Sequence, residues 1–134
     1  MPYNLEQTPQ DMAIYFMTAA PKKLLSFFKN AIDEELVTDW SYDKDGDFTH
    51  TSKQWINKAW LHPEFENECL SLFTVPPKNA AVSREIYAEY HSRFLEAMIT
   101  HCYALFSQGI ATAQPTQKDN LKAIPQNSSL WDAK

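Results

Sequence analysis

The stretch from Ala80 to Gln108 contains neither glycine nor proline, and it constrains the fold of this chain more than any other feature. Side chains suited to a core recur in it every three or four residues, which is the spacing of one helix face. These residues are Ile86, Tyr90, Phe94, Ala97, Met98, His101 and Leu105. At 1.5 Å per residue such a helix would measure about 40 Å. We expect it to be the spine around which the rest of the chain packs.

Similar spacing predicts further helices on both sides of a polar segment. A short helix is expected from Thr8 to about Ala20, and a second from Pro21 to about Leu36. Between Ser52 and Phe73, apolar residues again fall at helical intervals and predict two more short helices. The sequence therefore predicts a mainly α fold of about five helices around one long helix at about 80–108. A small β-hairpin at about 37–51 would lie between the second and third helices.

The domain boundary is predicted at the second of only two glycines, Gly109. We expect it to follow the long helix as a capping residue, and we expect both Gly46 and Gly109 to have positive φ. Residues 1–109 would then form a single helical domain with the hairpin as an insertion. Residues 110–134 are rich in Gln, Asn, Ser and Thr, and we expect a polar, partly disordered tail.

Composition excludes several classes of function. The net charge is −5 and no basic cluster exists beyond Lys22-Lys23, so we expect no direct nucleic-acid binding. The longest uncharged apolar run, MAIYFMTAA, is too short to cross a bilayer, and the N-terminus does not match a signal peptide. We therefore expect a cytoplasmic protein with no membrane contact. Cys69 and Cys102 are expected to be free thiols in the core.

The segment SYDKDGDFTHTSKQW admits two interpretations. Asp43, Asp45 and Asp47 have the spacing of the first three ligands of an EF-hand, and these five residues resemble such a loop. However, Phe48 stands where the loop needs glycine, and Gln54 stands where it needs a bidentate glutamate. We therefore expect no metal site.

The same residues fit a hairpin with the three-residue loop Lys44-Asp45-Gly46. In this register Tyr42 pairs with Phe48 and Trp40 pairs with His50, so the aromatic side chains share one face. A two-residue loop would scatter them over both faces.

Negative charge is concentrated around this hairpin. Seven acidic residues and one lysine lie between Asp33 and Asp47, whereas the rest of the chain has 11 basic and 10 acidic residues. The favoured hypothesis is a non-enzymatic interaction protein that masks a basic protein partner, as an immunity protein, antitoxin or phage inhibitor masks its target. The expected partner-binding residues are Asp39, Trp40, Tyr42, Asp43, Asp45 and Asp47.

No motif for nucleophilic, phosphate-binding or metal-dependent chemistry occurs in the sequence, so no cofactor or catalytic residue is predicted. The alternative hypothesis is a helical small-molecule binder or enzyme with an aromatic-lined pocket. His91 or His101 would then serve as acid or base. The pocket residues would be Trp55, Trp60, Tyr87, Tyr90, His91, Phe94 and His101.

Overall fold

The computed structural model describes residues 14–112, which form two α-helices and six β-strands. In chain order these are β1 (Ile14–Met17), α1 (Pro21–Asp33), β2 (Trp40–Tyr42), β3 (Phe48–His50), β4 (Trp60–Glu66), β5 (Cys69–Val75), α2 (Arg84–Cys102) and β6 (Gln108–Ala111). A single 3-10 turn, Tyr103–Leu105, follows α2.

All six strands belong to one antiparallel sheet with the order β2-β3-β4-β5-β1-β6. β2 to β5 form a meander in which each strand pairs with the next. β1 instead lies between β5 and β6, with Phe16 opposite both Leu70 and Gly109. The first described strand therefore joins the meander to the last one, and β2 and β6 are the edge strands among residues 14–112.

The prediction of a mainly α, all-helical fold with five helices is wrong. Residues 52–58, where the first of these two short helices was expected, form turns. The second is replaced by β4 and β5, which are joined by a tight turn in which Glu68 has φ 58°. Residues Cys69 to Thr74 are all buried, so both faces of β5 are covered. The alternation of apolar and polar residues that usually identifies a strand is therefore missing. Phe65, Cys69, Leu72 and Phe73 matched helical spacing by coincidence, because short apolar runs fit either period.

The predicted helix before Pro21 is also wrong where it can be compared, because Ile14–Met17 is β1. Its first part, at Thr8 and Pro9, lies outside the described residues, as does the predicted tail from residue 113 onward. The sheet itself continues to Ala111, two residues beyond the predicted domain boundary at Gly109.

Gly109 does not cap a helix and does not have the expected positive φ, which is confirmed only for Gly46 at 85°. It lies within β6, where an added Cβ would come 2.5 Å from Leu95 Cδ1 and 2.9 Å from Phe16 Cε1. Close packing of α2 on the sheet therefore requires glycine here.

The hairpin register is confirmed. Trp40 pairs with His50, Ser41 with Thr49 and Tyr42 with Phe48. The hairpin is not an isolated insertion, however, because β3 continues the sheet through a pair between Phe48 and Leu61. Strands of only three residues are marginal alone, so their stability depends on this continuation and on the core.

The long helix is present but shorter than the predicted 80–108. α2 begins after Ser83, whose side chain accepts the backbone N–H of Ile86 at 3.1 Å. It ends at Cys102, after which the 3-10 turn leads into β6. The predicted second helix is close to the observed α1, which begins at Pro21 and ends at Asp33 rather than Leu36.

Phe94 lies at the centre of the core that α1 and α2 form with one face of the sheet. Its ring centroid is 5.2 Å from Phe28 on α1, 5.0 Å from Trp40 on β2 and 5.4 Å from Phe48 on β3. It is also 6.1 Å from Phe16 on β1. The opposite face of the sheet carries a smaller buried cluster of Tyr15, Cys69 and Phe73.

We expect Phe94→Ala to lower the free energy of unfolding by about 3–5 kcal/mol, because it opens a cavity among four rings. The matched control is Phe27→Ala on α1, where the ring is 47 % exposed and the expected loss is about 1 kcal/mol or less. Urea denaturation of both variants measures the difference. Equal losses would contradict the central position of Phe94.

Candidate functional site

The end of α1 turns sharply toward β2 and presents acidic residues to solvent. Glu35 adopts the left-handed region with φ 64°, and the backbone N–H groups of Leu36 and Val37 both bond to the carbonyl of Ala31. Val37 is buried, whereas Glu34, Glu35 and Leu36 are exposed. The turn therefore anchors one apolar side chain and points its neighbours outward.

These acidic residues destabilise the end of the helix in which they lie. The last turn of α1 contains no basic residue, and the negative end of the helix dipole disfavours the carboxylates of Asp33 and Glu34. A left-handed residue after a helix is usually glycine or asparagine, yet Glu35 occupies this position. Helix stability therefore does not account for the charge at this end of α1.

The hairpin loop, by contrast, uses part of its charge for its own folding. One carboxylate oxygen of Asp43 accepts the backbone N–H groups of Asp45 at 2.9 Å and Asp47 at 3.0 Å. Gly46, at positive φ, donates its N–H to the carbonyl of Asp43 at 2.9 Å. Asp43 is thus a structural residue of the turn. Its carboxylate is engaged in the turn.

Two further acidic residues tie the hairpin to its surroundings. Asp47 Oδ1 lies 2.6 Å from Nδ1 of His62 on β4. The Tyr42 hydroxyl donates to Asp33 Oδ1 at 2.7 Å, and this hydrogen bond, more than the burial of the ring, raises the pKa of Tyr42. The Lys29 ammonium lies 4.9 Å from the centre of the Tyr42 ring. The end of α1 and the hairpin therefore form one continuous surface.

The predicted partner-binding residues separate into three groups. Trp40 is only 1 % exposed, because its ring packs against Tyr90 and Phe94 and leaves no surface for a partner. Tyr42, Asp43 and Asp47 have the internal contacts described above. Asp39 and Asp45 are exposed. Together with the exposed residues at the end of α1 they form what we call the acidic surface: Glu34, Glu35, Leu36, Asp39 and Asp45.

Leu36 is the functional candidate that the sequence analysis missed. It is 65 % exposed, although the predicted second helix extends to it. The helix ends three residues earlier, so Leu36 leaves the helical phase and points away from the core. No local pattern in the sequence distinguishes it from Val37, the next residue, which is buried.

The alternative pocket residues are not brought together at one cavity. Trp55, Tyr90 and Phe94 are buried in the core, Trp60 is half-buried at the start of β4, and His101 is half-buried near the end of α2. Within residues 14–112, a cavity of about 330 Å³ between α2 and the end of β6 is lined by two of them, Tyr87 and His91.

His91 is held as a neutral side chain with both ring nitrogens engaged. Burial lowers its pKa to about 4, so the ring carries one proton at neutral pH. Nδ1 lies 2.7 Å from the carbonyl of Tyr87, which can only accept, so Nδ1 carries the proton. Nε2 then accepts from the Thr74 hydroxyl at 3.3 Å. This geometry explains His91 as a structural residue and does not favour acid or base catalysis.

A second buried histidine lies beside Trp40 in the hairpin. Nδ1 of His50 accepts the backbone N–H of Ser52 at 3.2 Å, so the proton of the neutral ring is on Nε2. Within the part of the chain that the structure describes, His50 Nε2 and Trp40 Nε1 are buried without a hydrogen-bond partner. Burial also lowers the pKa of His50. A buried donor that is left unpaired destabilises a fold by about 1–3 kcal/mol.

The cysteines are not activated for chemistry. Both Cys69 and Cys102 are free and buried. Burial raises the pKa of the Cys69 thiol, and it raises the pKa of Cys102 to about 11. Reactive cysteines need the opposite shift, because the thiolate is the nucleophile. Within residues 14–112, no group of three or more His, Cys, Asp or Glu side chains is arranged to hold a metal ion.

Neither α1 nor α2 combines the length and the hydropathy that crossing a membrane requires. Comparison of the chain with protein-family models, with curated proteins and with solved structures gave no match. The residues and their geometry are therefore the basis for assigning a function.

We expect stability to depend on pH through His91. The unfolded chain takes up a proton near the ordinary pKa of 6.5, whereas the folded protein does so only near 4. The stability contributed by the neutral ring is complete above pH 6.5 and is lost as the pH falls toward 4, by up to about 3 kcal/mol. Urea denaturation across this range measures the loss.

His91→Gln is the matched variant, because it removes this titration and leaves that of His50 in place. The variant should lose less stability than the wild type between pH 6.5 and 4. If both proteins lose the same amount, His91 is not buried in the neutral form.

Proposed function

We propose that this chain is a non-enzymatic interaction protein that binds a basic protein partner through the acidic surface. The observation that carries the proposal is the spatial concentration of charge. The Tyr42–Asp33 hydrogen bond joins the end of α1 to the hairpin, so the acidic residues of 33–47 share one end of the molecule. Without that contact the same charges would belong to two separate elements.

The carboxylates that have no role in an internal contact described above support a role in recognition. Asp33, Asp43 and Asp47 each have a described partner within the fold. Four carboxylates of the acidic surface are exposed. Exposed like charges repel one another and steer oppositely charged proteins toward the surface that carries them. The cost in helix stability at Glu34 and Glu35 is consistent with residues retained for binding.

Leu36 supplies apolar area that could be buried in a complex, which the charged residues do not provide. Complementary charge mainly accelerates association and selects the partner, whereas burial of apolar area lowers the free energy of the complex. An exposed leucine surrounded by carboxylates suits a partner with a small apolar depression inside a basic surface. This role replaces the one predicted for Trp40, which the core occupies.

The class of protein remains the one that the sequence suggests. This is a small acidic protein in which His91 and both cysteines are buried and have structural roles. Such a protein suits a role in masking a basic toxin or enzyme. We accordingly propose an immunity-like, antitoxin-like or inhibitor function of bacterial or phage type in the cytoplasm. We favour a small-molecule site less, because within residues 14–112 its predicted aromatic residues Trp55, Tyr90 and Phe94 are buried in the core.

We expect the combined variant Glu34→Lys, Asp39→Lys and Asp45→Lys to weaken partner binding at least about tenfold, since three attractive pairs become repulsive. Asp43 and Asp47 are spared because their loss would disturb the turn. The partner is first captured from the source cell with tagged wild-type protein, then purified. Calorimetry or interferometry measures its affinity at about 0.05 and 0.5 M salt, where screening should weaken it strongly.

The matched control is Glu66→Lys, Glu68→Lys and Glu85→Lys, which changes the net charge equally at exposed positions elsewhere. The control should bind as the wild type does, and Leu36→Ala should weaken binding without removing its salt dependence. Equal weakening by both triple variants would mean that net charge, and not the acidic surface, controls binding. Unchanged affinity in the first variant would overturn the proposal.

A further inference from the structure

His50 is a buried histidine whose ring holds the chain in place after β3. It lies opposite Trp40 in the hairpin and is 3 % exposed. Its Nδ1 accepts the backbone N–H of Ser52 at 3.2 Å and lies 3.1 Å from the Ser52 hydroxyl oxygen. Only the neutral ring has an acceptor lone pair at Nδ1, so the bond to the Ser52 N–H requires that form. His50 therefore anchors the start of residues 51–59, which we call the β3–β4 connection.

The β3–β4 connection is bonded to the acidic surface at one end and to the core at the other. The N–H of Thr51 donates to the carbonyl of Asp39 at 3.0 Å. Trp55 is buried, and its carbonyl accepts the hydroxyl of Tyr90 on α2. The Ser52 carbonyl accepts the N–H of Trp55 at 3.1 Å and so joins the two ends. Displacement of Ser52 would therefore reach Asp39, an exposed residue of the acidic surface.

The protonated ring does not fit this environment. Protonation places an N–H at Nδ1, which would then face the N–H of Ser52 as donor against donor. In the described part of the chain, Nε2 of His50 is buried and has no hydrogen-bond partner. A buried donor without an acceptor and a buried charge without a partner are both unfavourable. An imidazolium at this position is therefore stable only if the ring leaves the core.

One carboxylate near the surface could receive the protonated ring. Burial lowers the pKa of His50, and three charged side chains face it from the elements packed around it. Arg93 and Glu89 on α2 have opposite charges and form an ion pair with each other, so their effects largely cancel. Asp39, which precedes β2, favours the protonated form and is exposed. The imidazolium therefore gains a partner by moving from the core toward Asp39.

We infer that His50 is a pH-sensitive switch between two arrangements of the β3–β4 connection. In the first, the neutral ring accepts the Ser52 N–H and Asp39 is exposed to a partner. In the second, the protonated ring pairs with Asp39 and the connection detaches, while α1, α2 and the other strands stay folded. The second arrangement neutralises one carboxylate of the acidic surface, so a falling pH weakens partner binding. This last step rests on the proposed function, whereas the opening of the connection does not.

Amide hydrogen exchange of the free protein tests the switch. Between about pH 7 and about pH 5, exchange in residues 51–59 should become at least about tenfold faster than in His50→Asn at the same pH, with α2 protected in both. Asparagine offers an acceptor oxygen to Ser52 and does not titrate. His91→Gln, the control, should respond as the wild type does. Equal exchange in the wild type and His50→Asn, or loss of protection only together with α2, would overturn the inference.

An NMR titration of the wild type provides a measurement that needs no variant. The Ser52 amide signal should shift with the midpoint of the His50 ring, because the ring nitrogen is its acceptor, and Asp39→Asn should lower that midpoint. A Ser52 signal that stays constant while His50 titrates, or a midpoint that Asp39→Asn leaves unchanged, is incompatible with the switch. Partner affinity at neutral pH tests the proposed function separately, so either one can fail without the other.

Discussion

The contacts of Phe94 hold the elements of this protein in one arrangement. Its ring, on α2, meets rings from α1, β1, β2 and β3, which are far apart in the sequence. Aromatic side chains bury large areas, and tilted or edge-on pairs such as these add a further favourable term. The hairpin strands have three residues each and would not persist alone. Their position, and with it the position of the acidic surface, depends on the packing of Trp40 and Phe48 against Phe94.

The acidic segment has two kinds of carboxylate that look alike in the sequence. Asp43 and Asp47 satisfy backbone and side-chain donors within the hairpin and between strands, so folding explains them. Glu34 and Glu35 stand at the negative end of a helix and, for Glu35, in a backbone conformation that favours glycine. Asp43 and Asp47 therefore stabilise the fold, whereas Glu34 and Glu35 destabilise it. Glu34 and Glu35 are therefore the better candidates for partner recognition.

The sheet could not be predicted from local spacing for physical reasons that differ between strands. In β5 both faces are buried, so the alternation of a half-exposed strand is lost. In β4, Leu61, Pro63 and Phe65 alternate with polar residues, but Leu61 and Phe65 also fit helical spacing, and a proline inside a strand is unusual. Pro63 is tolerated there because β3 pairs with β4 only at Leu61. β1 has four residues and depends on β5 and β6.

The sequence by itself determined the features that depend on residues close together in the chain. These are the hairpin register set by Gly46 and its alternating aromatics, the central part of the buried face of α2 (Tyr90, Phe94, Ala97 and Met98), and the concentration of acidic charge. Tertiary structure alone decided which strands flank β1, why Gly109 must lack a side chain, that Trp40 is buried and that Leu36 is exposed. Each of these depends on contacts between segments that are distant in the sequence, and such contacts cannot be inferred from the local spacing of residues.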